Sequence, residues 1–394
     1  MTTESVVILA GARTPMGGFQ GSLSSLTTPQ LGSVAIAAAL QRAGVQGQQV
    51  DEVIMGCVLP AGLGQAPARQ ASRAAGIPDA VGCTTINKMC GSGMKAVMMA
   101  ADQIKAGEAT LMVAGGMESM SNAPYLLPKA RAGMRMGHQQ VIDSMFFDGL
   151  EDAYEGGLMG VFAQQTADKF GFTREQMDDF AIESLTRAQQ AIKTGVLKAE
   201  IVPVSINTRQ GEVQVEEDEQ PLKANLEKIR TLKPAFAKDG SVTAANSSSI
   251  SDGASALVLM SESAAKAQGL SAQARIVGHS THAQLPAEFT LAPIGAIEKL
   301  LKKIGWSKEE VDLFEINEAF AVVTMVAVRE LGLDPAKVNI YGGACAQGHP
   351  IGSTGSRILV TLINALRQQG KKRGVAALCI GGGEATAVAI ELVD

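Results

Sequence analysis

Short apolar runs recur along this chain between longer segments of helical spacing. SVVILAG near the start, VDEVIMGCV from Val50 and ATLMVAGG from Ala109 read as β-strands. Between the last two, Met94 to Ala106 puts Met94, Val97, Met98 and Ile104 on or near one face, and Gly107 stands where a helix stops. Later in the chain ARIVGH from Ala274, VDLFEIN from Val311 and VAALCIGGG from Val375 read as strands, with a helix from about Thr354 to Arg367. Strands alternating with amphipathic helices predict an α/β fold.

The pattern also repeats. VDEVIMG at Val50 resembles VDLFEIN at Val311, and CGSGMKA at Cys90 resembles GSTGSRI at Gly352. Each half then passes through a helix into a strand that meets glycines, LMVAGGMES from Leu111 and ALCIGGGEAT from Ala377. The offset is nearly constant, matching Asp51 with Asp312 and Gly93 with Gly355, so a duplication is expected. The stretch between the halves differs in character. It opens with SNAPYLLPKARAGMRMGHQQ, rich in turn residues, methionine and positive charge, and continues into a charged helix around Thr173 to Thr194. The expected organisation is an N-terminal half of residues 1–120 plus about 250–270, an inserted loop domain of 121–249, and a C-terminal half of 271–394.

A length of 394 residues favours two or three packed units over one core, and 46% hydrophobic with 19% charged residues suits a compact fold. The net charge of −5 gives no electrostatic reason to expect nucleic acid as a partner. The opening MTTESVVILAGARTP has an acidic residue where a signal peptide needs a basic one, and no long uncharged apolar stretch follows, so no membrane span is expected. Cys57, Cys83, Cys90, Cys345 and Cys379 are odd in number and show no CxxC pair. Reduced thiols in the cytoplasm, without a disulfide framework or a metal site, are the simplest expectation.

Four positions carry candidate chemistry. Cys90, in INKMCGSGMKA, falls at a strand-to-helix junction, where free N–H groups and the helix dipole would favour a thiolate; a plain buried cysteine fits the motif equally well. His349 lies among glycines in GGACAQGHPIG, whereas His138, His279 and His282 sit in ordinary surroundings. In the repeat it precedes the position that matches Cys90, which makes it a candidate base. Cys379 precedes three glycines whose backbone N–H groups would suit an oxyanion, or it is a core strand residue. Asn317 ends a strand and is either functional or a helix cap.

Taken together, CGSGMKA, NEAFA, GHPIGSTGSR and CIGGG resemble the signature blocks of the thiolase family, in order and at matching separations. GARTPMGGFQG, GQAPARQA, GGMESMSNAPY and VTAANSSSISDGASALVLMSE extend the resemblance over essentially the whole chain. It implies an α/β fold of two duplicated βαβαβαββ halves in an α-β-α-β-α layered core with an inserted loop domain. It implies catalytic Cys90, His349, Cys379 and Asn317: an acyl-Cys90 intermediate, His349 as its base, and Cys379 as acid and base. One oxyanion site would combine His349 with a water held by Asn317, and the other the N–H groups of Cys90 and Gly381. Ser248, Leu150, Met159, Phe236, Ala319 and Phe320 match positions that line the pantetheine tunnel. Coenzyme A and acetyl-CoA would be substrates, with no tightly bound cofactor. The implied reaction is the reversible, ping-pong Claisen condensation of two acetyl-CoA to acetoacetyl-CoA. The resemblance also implies a homo-oligomer, dimer or tetramer, with the segment after Pro124 as a candidate contact.

The chain departs from the family pattern in places. Leu158-Met159-Gly160 stands where short-chain biosynthetic members usually read His-Met-Gly. Glu384-Ala385 replaces a common Met-Gly or Gln-Gly pair, and Cys345 and Gln347 replace aliphatic residues, with Cys345 expected to be packing. The Leu158 departure keeps open a degradative 3-ketoacyl-CoA thiolase of broader chain length. The ketoacyl-carrier-protein synthases, which use an acyl-cysteine on a similar core, fit the Cys379-GGG block less well. A catalytically silent binding protein of the same fold is a further alternative. Lys223, Lys228, Arg230 and Lys233 form a basic run that reads as a solvated face.

Overall fold

The computed structural model describes residues 4–209 and 211–393. Nine strands carry the architecture: β1 Val6–Arg13, β2 Glu52–Gly56, β3 Gly82–Ile86, β4 Leu111–Ser119, β5 Ser251–Ser261, β6 Ala274–Ala283, β7 Leu313–Ile316, β8 Arg373–Ile380 and β9 Glu384–Leu392. They are ordered β7-β8-β9-β6-β1-β5-β4-β2-β3. Apart from the outermost β3, which has no counterpart among the described residues, the order is symmetric about the junction where β1 and β6 meet antiparallel with Val6 opposite Ile276, Val7 opposite Arg275 and Ile8 opposite Ala274. On one side β2 runs parallel to β4, and on the other β7 runs parallel to β8.

The matched aspartates make the duplication physical. Asp51 accepts the N–H groups of Thr110 and Leu111 at 2.7 and 2.9 Å, tying β2 to the start of β4. Asp312 accepts those of Lys372 and Arg373 at 3.0 and 2.8 Å, tying β7 to β8 in the same way.

Seven helices matter here: α1 Thr28–Ala43, α2 Ser92–Ala106, α3 Met159–Phe170, α4 Arg174–Thr194, α5 Ala292–Ile304, α6 Ala321–Leu331 and α7 Thr354–Gln368. Met94, Val97 and Met98 of α2 pack with Ile358, Leu359 and Leu362 of α7 between Met112 and Leu257 of one half-sheet and Leu378 and Val388 of the other. The opposite face of the first half-sheet, with Val53, Val113 and Val258, is covered by Leu31, Ala35 and Ala39 of α1. That of the second, with Val375, Ala377 and Ala387, is covered by Ala296, Ile297 and Leu300 of α5. The layers therefore run α-β-α-β-α. Strands buried on both faces favour apolar side chains at successive positions, which is why β1 and β2 read as continuous runs.

Between β4 and β5 the chain leaves the sheet and forms α3 and α4. Thr173 caps α4: its hydroxyl accepts the Gln176 N–H at 3.2 Å, and the Gln176 side chain accepts the Thr173 N–H at 2.9 Å. The excursion is bound back through buried Arg13 on β1. Its guanidinium bonds Glu200 at 2.5 Å and forks onto Asp218 at 2.7 and 2.9 Å.

The two central helices touch at their N-terminal ends through glycine. A Cβ on Gly93 would sit 2.6 Å from Ser356 Oγ and 2.9 Å from its backbone nitrogen, and one on Gly355 2.4 Å from the Met94 nitrogen. Backbone cannot yield as a side chain can, so Gly93→Ala and Gly355→Ala are each expected to cost about 1–3 kcal/mol of stability. Chemical denaturation checks this; unchanged midpoints would mean the helices separate freely. The same contact brings together the loops that enter α2 and α7, and these loops hold Cys90 and His349.

Candidate active site

Cys90 is presented by a tight turn between β3 and α2. Asn87 Oδ1 accepts the Met89 N–H at 2.9 Å, and Ser92 Oγ accepts the Lys88 N–H at 2.8 Å while donating to the Met89 carbonyl at 2.6 Å. Met89 is held at φ +47°, a left-handed conformation that costs a non-glycine residue energy. The hydrogen bonds around it keep the turn closed.

The second contribution comes from the hairpin between β8 and β9. Ile380 pairs with Glu384, and Gly382 and Gly383 turn the chain at φ +89° and +87°, where glycine is required. Cys379 is the next-to-last residue of β8, and Gly381 just beyond it faces the same cavity as Cys90, near enough for its N–H to favour the thiolate.

His349 lies in the turn before α7, where its own N–H donates to the Ser249 carbonyl at 3.1 Å. Its Nδ1 lies 2.6 Å from Thr354 Oγ1, and the Thr354 hydroxyl donates to the Pro350 carbonyl at 3.0 Å. With the hydroxyl hydrogen committed to Pro350, Thr354 accepts from Nδ1–H. His349 Nε2 then carries a free lone pair, and it has no hydrogen-bond partner.

Cys90, His349, Cys379 and Gly381 line one cavity of about 390 Å³. All six positions expected along the tunnel line it too: Leu150, Met159, Phe236, Ser248, Ala319 and Phe320. The Ser248 N–H donates to the Ala319 carbonyl at 2.9 Å, which ties two wall segments together. Phe236 meets Phe320 edge to face at 6.1 Å between centroids, and a Cβ on Gly160 would lie 2.2 Å from the Phe236 ring.

Asn317 is the exception, for it does not line the cavity. It directly follows β7, with its side chain buried and neither amide atom partnered. Buried carboxamides are rarely left so. Its neighbour Glu318 is held by Ser184 Oγ at 2.7 Å, Asn339 Nδ2 at 2.9 Å and the Cys345 N–H at 3.2 Å. Cys345 points its sulfur at the Glu318 carbonyl and belongs to this packing. In the basic run, Lys223 pairs with Glu219 and Arg230 with Asp179, while Lys228 and Lys233 are exposed.

Phe146, Phe289 and Ile351 also line the cavity and were not legible as site residues. Apolar residues in loops carry no chemical signature. Buried Glu118, likewise missed, sits in the GGMES block. Its carboxylate accepts the N–H groups of Val58, Leu59 and Gly352 at 2.9, 3.1 and 2.9 Å, joining the two halves beside the His349 turn.

Residues 6–263 match the family model of the thiolase N-terminal domain, and residues 270–392 that of the thiolase C-terminal domain. The chain belongs to the thiolase family. Among curated relatives, an acetyl-CoA acetyltransferase of Pseudomonas aeruginosa is 48% identical over 98% of this chain and 99% of its own. One from Cupriavidus necator is 48% identical over the same shares. Among solved structures, the acetyl-CoA acetyltransferase of Bacillus anthracis superposes with a TM-score of 0.97 at 44% identity, covering 99% of both chains. A thiolase of Ascaris suum in complex with coenzyme A gives 0.94 at 44% identity, covering 99% of this chain and 100% of that one.

The electrostatics of this thiolase correct one expectation. Loss of water pushes the Cys90 thiol up to about 11, although the N–H groups of Gly381 and of Cys90 itself pull the other way. Burial and the nearby Cys90 raise Cys379 well above the ordinary thiol range. Burial, helped by Arg357, lowers His349 to about 3. Desolvation thus outweighs the N–H groups at Cys90, and the resting site holds neutral thiols beside a neutral imidazole instead of a preformed thiolate. Among the described residues, no helix is long and apolar enough to cross a membrane.

Proposed function

We propose that this thiolase is an acetyl-CoA acetyltransferase, condensing two acetyl-CoA reversibly to acetoacetyl-CoA and free coenzyme A. The observation that carries this is the convergence of Cys90, His349, Cys379 and Gly381 at one apolar cavity. Cys90 attacks the thioester carbonyl while His349 Nε2 takes and keeps its proton, and the departing coenzyme A sulfur takes a proton from Cys379, which is left as a thiolate. The acetyl group is left on Cys90. Cys379 then removes a proton from the methyl carbon of the second acetyl-CoA. The resulting carbanion forms the new carbon–carbon bond at the acetyl carbonyl, and Cys90 leaves as a thiolate that takes its proton back from His349. The N–H groups of Cys90 and Gly381 receive the tetrahedral oxyanion. The enolate oxygen is met by His349, its Nε2 then protonated, and by a water on Asn317. Each half-reaction empties the coenzyme A site before the next, so the kinetics are ping-pong.

Segment 121–249 acts as the inserted loop domain that clamps coenzyme A, with Leu150, Met159, Phe236 and Ser248 along the pantetheine. The enzyme works in the cytoplasm as a homo-oligomer, dimer or tetramer. Tyr125, Leu127, Met136 and Val141 support a subunit contact after Pro124: all four are exposed, Met136 to 90%.

One observation favours a broader substrate. Leu158 lies in the cavity wall beside Met159, and it offers apolar contact to a longer acyl chain. Thiolysis rates against 3-ketoacyl-CoA chain length test the choice. A steep fall beyond the four-carbon acetoacetyl unit is expected, and a flat profile would replace the acetyltransferase with the degradative 3-ketoacyl-CoA thiolase.

A further inference from the structure

The turn carrying Gly381 has little to hold it in place. Its far end is anchored, with the Gly383 carbonyl accepting the Gln284 N–H at 2.8 Å, but a Cβ at Gly381 would have no neighbour nearer than 3.9 Å and one at Gly382 would meet nothing. Yet Gly381 must keep its N–H beside Cys90, with which it shares the cavity wall and which belongs to the other half of the duplicated fold. Two contacts beside it cross the same boundary. Gly91 lies directly under Ile380, so closely that a Cβ would fall 2.3 Å from Ile380 Cδ1. Lys88, two residues before Cys90, pairs its ammonium with Glu384, the first residue of β9. The pair spans 296 residues of sequence, and its side chains are only 23% and 34% exposed. It depends on Glu384, one of the positions at which the chain departs from the family pattern.

We propose that the Lys88–Glu384 ion pair is a positioning device that fastens the triglycine turn of one half to the nucleophile turn of the other, holding the Gly381 N–H on the Cys90 sulfur. This rests on Cys90 as the acylated nucleophile. Neither Lys88 nor Glu384 lines the cavity, so they act through Gly381 and do not touch the substrate. Fastening matters because an oxyanion donor displaced by a fraction of an ångström loses most of its effect on the transition state while substrate binding is little changed.

The test compares Lys88→Met, Glu384→Gln and the charge-reversed double variant Lys88→Glu/Glu384→Lys with the parent enzyme. Rapid-quench mass spectrometry follows acetyl transfer from acetoacetyl-CoA to Cys90. Each single variant is expected to slow acylation about tenfold, the scale of a half-buried ion pair, with KM within about twofold of the parent. The double variant is expected to recover most of the loss. Alkylation of Cys90 by iodoacetamide without substrate gives a second readout. The sulfur is faced by Gly381, Glu118 and Cys379, and in the single variants the pH midpoint of alkylation rises as the Gly381 N–H drifts away. Single variants at the parent rate with an unmoved alkylation midpoint would overturn the proposal. So would a double variant as slow as the product of the singles. A parent enzyme that never acylates Cys90 would defeat the acyl-Cys90 mechanism instead, and the two failures are distinguishable.

Discussion

Replacing Cys90 with alanine is expected to lower turnover by about four orders of magnitude or more and to leave no acetyl group on the protein after mixing with acetoacetyl-CoA. The side chain makes no hydrogen bond on which the turn depends, since Ser92 and Asn87 hold that turn. The variant should therefore fold, and its cavity should keep binding coenzyme A. What disappears is the sulfur that takes the acetyl group. Cys379 cannot substitute, because it is 1% exposed and its thiol is held well above the ordinary range by burial and by Cys90 itself. Cys379→Ala should behave in the opposite way, taking up acetyl on Cys90 but failing to pass it to a second acetyl-CoA. Intact-protein mass spectrometry separates the two cases. Parent-like turnover by Cys90→Ala, or an adduct elsewhere in that variant, would end the proposed mechanism.

Much of this fold could be read in the sequence because buried layers leave strong patterns. β1, β2 and β4 are apolar on both faces, and α2 stops at Gly107, which adopts the left-handed conformation at φ +80°. The duplication was legible in Asp51 and Asp312, whose carboxylates perform the same task in each half. Other elements were hidden. β5 begins Ser-Asp-Gly-Ala-Ser, a composition that suggests a loop, yet every residue of it is buried. Ser255 finds its partners far away in sequence: its Oγ lies 2.9 Å from Ser353 Oγ and 2.7 Å from Ser356 Oγ. Nothing local announces that. The central position of α7 was equally silent, for Ser356, Arg357, Thr361 and Asn364 are all buried on a helix that would ordinarily show such residues to water. In the site, Cys90, His349, Cys379 and Asn317 could be found from their motifs, and all but Asn317 line the cavity. The apolar walls at Phe146, Phe289 and Ile351 could not, because their role is set only by where the loops fold.

The protonation state of Cys90 was also beyond the sequence, and it determines what His349 must do. A thiol at about 11 is ionised at neutral pH to only about one part in ten thousand. Acylation therefore needs a base that is already deprotonated. His349 meets this requirement. Burial holds it down to about 3, and Thr354 fixes Nδ1 as the protonated nitrogen, leaving Nε2 free. Since the imidazole gains a proton only below about 3, it imposes no acid limb on acylation between pH 5 and 8. His349→Ala is expected to slow acylation at neutral pH by about 10²–10⁴-fold. The pH dependence is the sharper signature. The parent rate should be nearly level across this range, whereas the variant depends on rare spontaneous thiolate, so its rate should climb about tenfold per pH unit towards the Cys90 midpoint near 11. Single-turnover acylation measured from pH 6 to 9 in both proteins decides it. Parallel profiles would mean that the proton of Cys90 leaves by another route.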